Sequence, residues 1–514
     1  MPATNYTALL SQALITYSAN PIGLYNSLRQ IHYQAWLYGD SVIYPVSQTF
    51  NIEVVLDESG NQMSIGLSPY TDFNNCIFNV TNQTGKTVDL FKLFSPGVDT
   101  QPVSIPKSQL HAGAHVYGSN NELNSSPKLI IVTDENRWTT RNEFNDSGIL
   151  ETTDFYRKDI LFLSDNIFQN DPISTYNNAY SNPSCQYIDV SISQKVFKNL
   201  IFNRTSASTS LTNLVLVNYQ YNVRIENVEI TTPQPMEEGG IYFDKCISIN
   251  HCAKVEVVDV TISKTYSVIG HWGYGFSLFN VWDSYFEGII AYDTEKGVFD
   301  SNNTNVFKIV DSHVNRVDVH CYGKDITCED CTFENIANKH NVFNRFSSFF
   351  GTLKYKNCVF DEFLPVRIDS AYNAFTAFDL VMEQCTLNVV YVINPIETIL
   401  YNCIVHIPVI DNTINPRPEL QHKCLPNLMI SDLTLHIPAG ITEFCFIKIS
   451  NLSYTGNYYY MDTMNVDIYP YSQAGPALVT FYDTCYYPIQ LVEQLSVSLE
   501  RRAFPTIRRI TSGA

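Results

Sequence analysis

The charge of this chain argues against a nucleic-acid or anionic-membrane partner. Its 514 residues carry 51 Asp and Glu against 32 Lys and Arg, a formal net charge of −19, whereas phosphate binding relies on Lys and Arg. Hydrophobic residues make up 45% of the chain, which indicates a folded protein, and no apolar stretch reaches the length of a membrane span.

The first 45 residues differ in pattern from the rest of the chain. Apolar residues recur there at helical spacing on both sides of Pro21: Leu10, Ala13, Leu14, Tyr17, Leu24, Leu28 and Ile31. This spacing predicts two short helices, which either cap the open end of a solenoid or form an attachment or trimer-seeding segment. The N-terminus shows no basic region followed by an apolar run, so we expect no export signal.

Residues 46–190 mix strand patterns with polar loops. Strand-like segments at 50–56 and 129–132 stand beside polar stretches at 117–127 and 170–183. We interpret this region as the first turns of a β-helix with long loop insertions. Binding groups often gather on such loops when they lie on one face of a solenoid.

A short pattern recurs along the chain and predicts a coil of stacked strands. An amide or acidic residue is followed by Cys, by one further residue and by a large apolar one: Asn75-Cys76-Ile77-Phe78, Asp330-Cys331-Thr332-Phe333, Asn357-Cys358-Val359-Phe360 and Gln384-Cys385-Thr386-Leu387, with a related piece at Asn402-Cys403-Ile404-Val405. The last four cysteines are spaced 27, 27 and 18 residues apart, which is typical of a solenoid.

The predicted fold is an all-β, right-handed parallel β-helix with a short helical N-terminal segment and a C-terminal cap. Short strands bury little alone, but stacked turns share one core and pair each other's backbone groups. A leucine-rich repeat lacks support because its L-x-x-L-x-L pattern does not recur. We assign 191–410 to the regular β-helix with the candidate groove, and 411–514 to the last turns and the cap. Stacked cysteines are expected to be small buried hydrophobes, not disulfides.

Polar residues between 300 and 345 form the first candidate site. Asp300, Asp318 and Arg345 lie 11, 12 and 12 residues before the acidic or amide residue of their turns, so turns of similar build place them on one face, about 4.8 Å apart. Arg316, Asp318 and His320 alternate along one strand and therefore share a side. Because burying such groups is costly, we expect them to be exposed in a groove.

These residue types suit the cleavage of glycosidic bonds. Asp300 and Asp318 can divide acid and base roles, and His320 is an alternative proton-transfer group. Arg316 and Arg345 can hold a carboxylate ionised or bind an acidic sugar. The alternative is a solvated polar stack in which Asp318 and Arg345 pair across turns.

Aromatic residues near this face suit stacking against sugar rings. The candidates for substrate binding are His271, Trp272, Tyr274 and Trp282, with Tyr322 as a weaker one. The alternative for each is a core position in a widened turn. No zinc spacing, complete calcium loop or phosphate-binding glycine loop is found, so we expect no metal and no cofactor.

From about residue 70 to 410 the chain resembles the right-handed parallel β-helix proteins of the pectate-lyase-like superfamily, especially phage tailspikes and appendages. The most specific part is Ser301-Asn302-Asn303 together with Arg316-Val317-Asp318-Val319-His320-Cys321. The resemblance implies a bacterial surface glycan as ligand, other virion proteins as partners, a virion location and a homotrimer. The Asp–Asp pairs of pectate lyases and the Gly-His-Gly signature of polygalacturonases are missing, so pectin cleavage is not expected.

Three functions remain open on this basis, because proteins of this fold include lyases, hydrolases, esterases and inactive binders. The first is a tailspike-like depolymerase, either hydrolase or lyase. The second is a non-catalytic receptor-binding or structural virion fibre. The third is an extracellular or cell-surface bacterial carbohydrate-active enzyme that lacks its export signal. In the first case we expect Asp318→Ala to leave folding nearly intact, since an outward polar residue adds little to the core.

Overall fold

The computed structural model describes most of the chain up to residue 360 and short strands beyond it. The described ranges are 4–61, 63–84, 86, 88–93, 99–116, 123, 126–144, 150–172, 182–203, 211–231, 243–263, 274–291, 297–334, 345–346 and 349–360, followed by isolated strands between 377 and 481. The chain divides into two compact units. The first unit comprises Met1–Thr139, Asp154–Asn315 and Ile336–Asn338, and the second comprises Thr140–Thr153, Arg316–Asn335 and Lys339–Ala514.

Strands dominate the described residues, and the two α-helices stand at the N-terminus. The helices are α1 (Tyr6–Thr16) and α2 (Pro21–Tyr38), and a 3-10 helix covers Lys107–Gln109. The strands up to residue 291 are β1 (Val42–Ile43), β2 (Thr49–Val54), β3 (Ile65–Gly66), β4 (Tyr70–Asn82), β5 (Val88–Leu93), β6 (Gln101–Val103), β7 (Lys128–Phe144), β8 (Leu150–Ser164), β9 (Ile167–Phe168), β10 (Pro183–Asp189), β11 (Lys195–Asn203), β12 (Leu211–Asn218), β13 (Tyr221–Thr231), β14 (Phe243–Ile262), β15 (Tyr274–Glu287) and β16 (Ile290–Ala291).

The later strands are shorter toward the end of the chain. They are β17 (Phe299–Val310), β18 (His313–Val314), β19 (Val317–Glu329), β20 (Thr332–Phe333), β21 (Arg345–Phe346), β22 (Phe349–Lys356), β23 (Val359–Phe360), β24 (Ala377–Glu383), β25 (Thr386–Leu387), β26 (Glu397–Tyr401), β27 (Ile404–His406), β28 (Leu428–Ser431), β29 (Thr434–His436), β30 (Ile447–Ile449), β31 (Leu452–Tyr454), β32 (Tyr459–Tyr460) and β33 (Val479–Phe481).

Residues suited to helix ends stand at the start of both N-terminal helices and at the end of the second. The side chain of Asn5 accepts a hydrogen bond from the backbone N–H of Ala8 at the start of α1, and Asn20 does the same for Gly23 at the start of α2. Pro21 occupies the first turn of α2, where its missing N–H costs nothing. Gly39 ends α2 in the left-handed conformation. The prediction of two helices is confirmed.

These helices cover the open edge of the first turn. The hydroxyl of Tyr25 donates to the carbonyl of Met63, and Nε of Arg29 donates to the carbonyl of Ser64 over 3.2 Å. From α1, Oγ1 of Thr7 donates to the carbonyl of Ile43 over 2.7 Å. Unpaired edge carbonyls invite association with other chains, and the helical segment engages three carbonyls of the first turn. Its role as a cap or as an attachment segment stays a prediction.

Parallel strands stack in register in both units. In the first unit Cys76 pairs with Leu200, Leu200 with Val228 and Val228 with Val260. In the second unit the residue after each repeated Cys stacks in the same way: Thr332 with Val359, Val359 with Thr386 and Thr386 with Ile404. The predicted fold class, an all-β parallel β-helix with a helical N-terminal segment, is confirmed. Within 411–514, the range assigned to the last turns and the C-terminal cap, the structure describes short strands as far as Val479–Phe481, and the cap itself stays a prediction.

The recurring amide or acidic residue marks a tight corner of the coil. The backbone is left-handed, with positive φ, at Asn75, Asn199, Asn227, Asp259, Gly288 and Asp311 in the first unit and at Asp330 and Asn357 in the second. Asn, Asp and Gly tolerate this conformation better than other residues. Neighbouring corners also bond to each other, since Nδ2 of Asn227 donates to Oδ1 of Asn199 over 2.8 Å.

The cysteines next to these corners are buried thiols. Cys76, Cys331 and Cys358 are at most 1% exposed, and the cysteines whose state the structure describes are free. Burial raises the pKa of the Cys76 thiol to about 11, so the thiol stays protonated and donates to the carbonyl of Pro45. The expectation of small buried hydrophobes is confirmed at these positions, and Cys385 and Cys403 lie outside the described residues.

Between β5 and β11 the chain leaves the coil and forms an antiparallel sheet. We call it the accessory sheet; its strand order is β6-β10-β7-β8-β9. One face packs a cluster of its own that includes Ile130, Val132 and Leu161. The opposite face, through Leu129, Ile131, Ile160, Phe162 and Ile188, packs against Ala253 of the coil, with Tyr219, Tyr221 and Trp282 at the margin. Part of what the sequence suggests to be loop insertion is therefore a packed sheet.

Replacing Gly288 tests the left-handed corner. Its φ is +65°, and an added Cβ would stand 2.5 Å from Oδ1 of Asp259, so Gly288→Ala should destabilise the protein by about 1–2 kcal/mol in chemical denaturation. The matched control is Gly66→Ala, because a Cβ there meets no atom within 4 Å. Equal stability of the two variants would contradict the corner geometry.

A buried histidine makes the helical cap sensitive to acid. His32 is fully buried with Nε2 2.8 Å from the hydroxyl of Tyr44, and burial lowers its pKa from 6.5 to about 3. The unfolded state therefore binds the proton first. The stability from neutral His32 is complete above about pH 6.5 and falls toward pH 3, by at most roughly 1.4 kcal/mol per pH unit.

Hydrogen exchange of the α2 amides at pH 7 and pH 5 measures this effect. We expect protection factors in α2 to fall at the lower pH, and we expect His32→Gln, which has no titrating ring, to reduce that fall. An unchanged pH dependence in His32→Gln would show that another group controls the cap.

Candidate functional site

The predicted site residues are distributed over both units. Asp300 lies on β17 in the first unit, whereas Arg316, Asp318 and Arg345 belong to the second. His271 and Trp272 lie outside the described residues, and so do the side chains of His320, Tyr322 and Arg345. Their predicted roles, and the grouping of all these residues in one groove, stay predictions.

In the second unit, Arg316 and Asp318 form a buried ion pair. The guanidinium contacts Oδ2 of Asp318 through Nε at 3.1 Å and Nη2 at 2.9 Å, and the two residues are 2% and 0% exposed. The expectation that they are exposed was wrong, because mutual neutralisation is the form in which such charges can be buried. Asp318 is the register partner of Arg345, as the equal spacing in the sequence predicts.

In the first unit, three donors from three neighbouring strands converge on Asp300. Lys245 of β14 places Nζ 3.6 Å from Oδ2, and Ser277 of β15 donates from Oγ to the same oxygen over 3.4 Å. Asn302, on the same strand as Asp300, donates from Nδ2 to Oδ1 over 3.3 Å. The side chain of Asp300 is 10% exposed and that of Lys245 is 35% exposed. Of the two charged side chains in this cluster, Lys245 is therefore the more accessible to solvent.

The polar side chains continue across the neighbouring turns. Oγ of Ser248 donates to Oδ1 of Asn213 over 2.5 Å, and Nδ2 of Asn213 donates to Oδ1 of Asp89 over 2.6 Å. Asp89 pairs with Lys92 at 3.2 Å. We call this series the polar track; it consists of Asp89, Lys92, Asn213, Lys245, Ser248, Ser277, Asp300 and Asn302. The polar track crosses five neighbouring strands, so its length across the sheet is about 19 Å. At each end of the track a carboxylate is paired with a lysine.

An aromatic surface borders the Asp300 end of the polar track. Phe279 is the register partner of Asn302, and Nζ of Lys158, from the accessory sheet, stands 5.5 Å from the centre of its ring. The ring of His251 contacts Phe279 edge-on at 5.3 Å and stacks on Tyr219 at 4.9 Å. Burial and then the charge of Lys158 lower the pKa of His251 to about 4, so its ring is neutral at neutral pH.

The two predicted aromatic residues with described side chains have structural contacts. Tyr274 is 7% exposed on β15, and Trp282 is partly buried against the accessory sheet. These positions favour the alternative of packing over sugar stacking. Sequence reasoning missed Lys158, Lys245 and Phe279, since no local pattern brings 158, 245, 279 and 300 together.

Neither a metal-binding group nor a membrane-spanning helix is found among the residues that the structure describes. No group of three or more His, Cys, Asp or Glu residues in that part of the chain is arranged to hold a metal ion. Within the same residues, no helix has both the length and the apolar character needed to span a membrane.

No protein-family model matches the chain, and no curated protein matches it. Solved structures with a similar course of chain include phage tailspikes. The tailspike protein gp49 of Pseudomonas phage LKA1 is 12% identical, with 88% of this chain and 75% of that chain covered and a TM-score of 0.43. The tailspike gp61 of Pseudomonas phage phi297 is 9% identical, with 89% and 78% covered and a TM-score of 0.40.

A third similar structure is the Gp54 tailspike of Acinetobacter baumannii bacteriophage AP22, in complex with A. baumannii capsular saccharide. It is 10% identical, with 92% of this chain and 78% of that chain covered and a TM-score of 0.39. These proteins belong to the group that the sequence resembles. At such identities the likeness concerns the course of the chain and not its chemistry.

The buried ion pair reverses the expected effect of Asp318→Ala. Removing the carboxylate takes the contacts at Nε and Nη2 from the buried guanidinium of Arg316, so the free energy of unfolding should fall by about 3–5 kcal/mol. Chemical denaturation measures the change. The control is the double variant Arg316→Met with Asp318→Leu, which removes both charges and should recover most of the loss. Wild-type stability of Asp318→Ala would mean that the pair contributes little.

Proposed function

We propose that this protein binds a bacterial surface polysaccharide along the polar track and cleaves it, as a tailspike-like appendage of a phage virion. The observation that supports cleavage is the carboxylate of Asp300, which faces Lys245, Ser277 and Asn302 beside the ring of Phe279. The bacterial glycan, the virion location and a homotrimeric assembly follow from the resemblance described above and are part of the proposal.

The side chains at this end of the polar track match what a sugar offers. A sugar ring presents an apolar face and a rim of hydroxyl groups. Phe279 supplies a surface for the apolar face, while Asn302 and Lys245 supply donors, and in Asn302 also an acceptor, for hydroxyl groups. Lys245 can additionally pair with the carboxylate of an acidic sugar. These residues lie on the neighbouring strands β14, β15 and β17. The spacing of the strands sets the distance between the side chains that contact successive parts of a bound glycan.

Asp300 is placed for the role of base or nucleophile. Donors that face both of its oxygens orient the carboxylate. Glycosidic cleavage needs such a carboxylate together with a group that protonates the leaving oxygen. Asp318 is buried against Arg316 and is therefore not assigned to this second role.

A binding function without cleavage is the second candidate. Each carboxylate of the polar track is already paired with a lysine, Asp300 with Lys245 and Asp89 with Lys92. The residues between them, Asn213 and Ser248, are at most 5% exposed. A neutralised and partly buried track of this kind suits a virion fibre that holds a glycan and leaves it intact.

The test combines a glycan array with a matched pair of variants. The full chain, Asp300→Asn and Asp311→Asn are incubated with bacterial capsular and cell-wall polysaccharides, and product size and ultraviolet absorbance are followed. Loss of a general base or nucleophile should lower product release by about 100-fold or more in Asp300→Asn. Asp311 is an exposed corner residue with positive φ, which Asn tolerates, so Asp311→Asn should keep full activity.

Each result separates the candidates. Shortened products that Asp300→Asn loses support the depolymerase, and their ultraviolet absorbance distinguishes elimination from hydrolysis. Binding without shortened products supports the fibre. Equal release by Asp300→Asn and the wild type would remove Asp300 from the chemistry, and no binding to any glycan would contradict the proposed function altogether.

A further inference from the structure

A lysine without an ionic partner stands beside the candidate site. Lys158, on strand β8 of the accessory sheet, is half-buried, and its Nζ lies 5.5 Å from the centre of the Phe279 ring. Among the residues that the structure describes, no carboxylate forms an ion pair with this nitrogen. An ammonium carries three hydrogen-bond donors, and those of Lys158 are therefore available to a ligand.

Two other lysines that stand over aromatic rings each have a carboxylate partner. Nζ of Lys198 is 5.6 Å from the centre of the Tyr70 ring and 3.4 Å from Oδ2 of Asp72. Nζ of Lys128 also stands over a tyrosine ring and pairs with Asp189. The ammonium at the candidate site lacks the carboxylate that completes these two arrangements.

The unpaired ammonium borders a row of three rings from neighbouring strands. The ring of His251 lies nearly parallel to that of Tyr219, at 6°, and perpendicular to that of Phe279, at 90°. All three residues are half-buried, so each retains some surface outside the core. We call Lys158, Tyr219, His251 and Phe279 the acidic-sugar subsite.

His251 gives the row a neutral hydrogen-bond donor. Nδ2 of Asn280 lies 3.0 Å from Nδ1 of His251, and because an amide nitrogen donates, Nδ1 accepts and the proton of the neutral ring is on Nε2. Burial and then the charge of Lys158 lower the pKa of His251 to about 4. At neutral pH the positive charge of the subsite is therefore that of Lys158.

We propose that Lys158 binds the carboxylate of an acidic sugar whose ring lies along Tyr219, His251 and Phe279. A uronic acid combines an apolar ring face, hydroxyl groups and a carboxylate, which match the aromatic rings, the Nε2 donor and the ammonium. That the acid is a unit of a glycan rests on the proposed function, since Phe279 is the register partner of Asn302 in the polar track. The subsite narrows the ligand to a polysaccharide that contains uronic acids.

Lys158 is held in position before a ligand binds. It precedes Phe162 by four residues on the same strand and therefore points to the same side of the accessory sheet. The ring of Phe162 stacks on that of Tyr221 of the coil at 4.0 Å and 11°. Because the strand is fixed against the coil, little freedom is lost when the ammonium meets its ligand.

Saturation-transfer NMR with free sugars tests the acidic-sugar subsite on the full chain. The ligands are glucuronate and galacturonate, with glucose and galactose as their neutral counterparts. We expect the wild type to bind one or both uronates about tenfold more tightly than the neutral sugars, because hydrogen bonds to charged groups are the stronger ones. Lys158→Met, which retains an apolar stem beside Phe279, should lose this preference, and Lys158→Arg should retain it.

The matched control is Lys198→Met, since it removes an ammonium over an aromatic ring that is already paired with Asp72. This variant should bind uronates like the wild type. Circular dichroism and thermal unfolding establish that each variant is folded. Equal binding of uronates and neutral sugars by the wild type, or an unchanged preference in folded Lys158→Met, would overturn the proposal. Tighter binding of a glutamate-rich peptide than of uronates would also overturn it, in favour of an acidic protein partner.

This test and the glycan array can fail separately. Uronate binding that depends on Lys158, without binding of any polysaccharide on the array, would support the subsite and contradict the proposed function. Polysaccharide binding by a wild type that shows no preference for uronates would support the proposed function and overturn the subsite.

Discussion

The left-handed corner is the constraint on which the coil depends. In a parallel β-helix the backbone must bend sharply between short strands. The bend must recur at the equivalent position in each successive turn of the helix. Asn, Asp and Gly fulfil this need at the corners from Asn75 to Asn357, because their backbone enters positive φ at low cost. Each corner fixes the register of the strand that follows, so the next residue points into the core in one turn after another.

The register of the parallel strands fixes the positions of polar side chains as well as those of apolar ones. Lys245, Ser277 and Asp300 come from three strands and meet because the parallel pairing aligns those strands. The accessory sheet brings Lys158 to Phe279 from another part of the chain. The candidate site is thus built on regular strands with a spacing of about 4.8 Å.

The arrangement of charged residues differs between parts of the molecule. Arg316 and Asp318 are buried and neutralise each other, the polar track pairs each carboxylate with a lysine, and the capping helices nearly dispense with charge. These arrangements distinguish ion pairs that belong to the fold from charged groups that are accessible to a ligand.

The sequence by itself determined the coil, its period and the helical N-terminus, because corner residues, buried small residues and helical spacing are local patterns that recur. It also placed Asp318 beside Arg345. Only the tertiary structure decided that Arg316 and Asp318 are buried, that 129–132 belongs to a packed accessory sheet, and that Lys245, Ser277 and Phe279 surround Asp300. Burial and long-range contacts depend on which surfaces cover one another, and strand alternation indicates the side of a residue but not what covers that side.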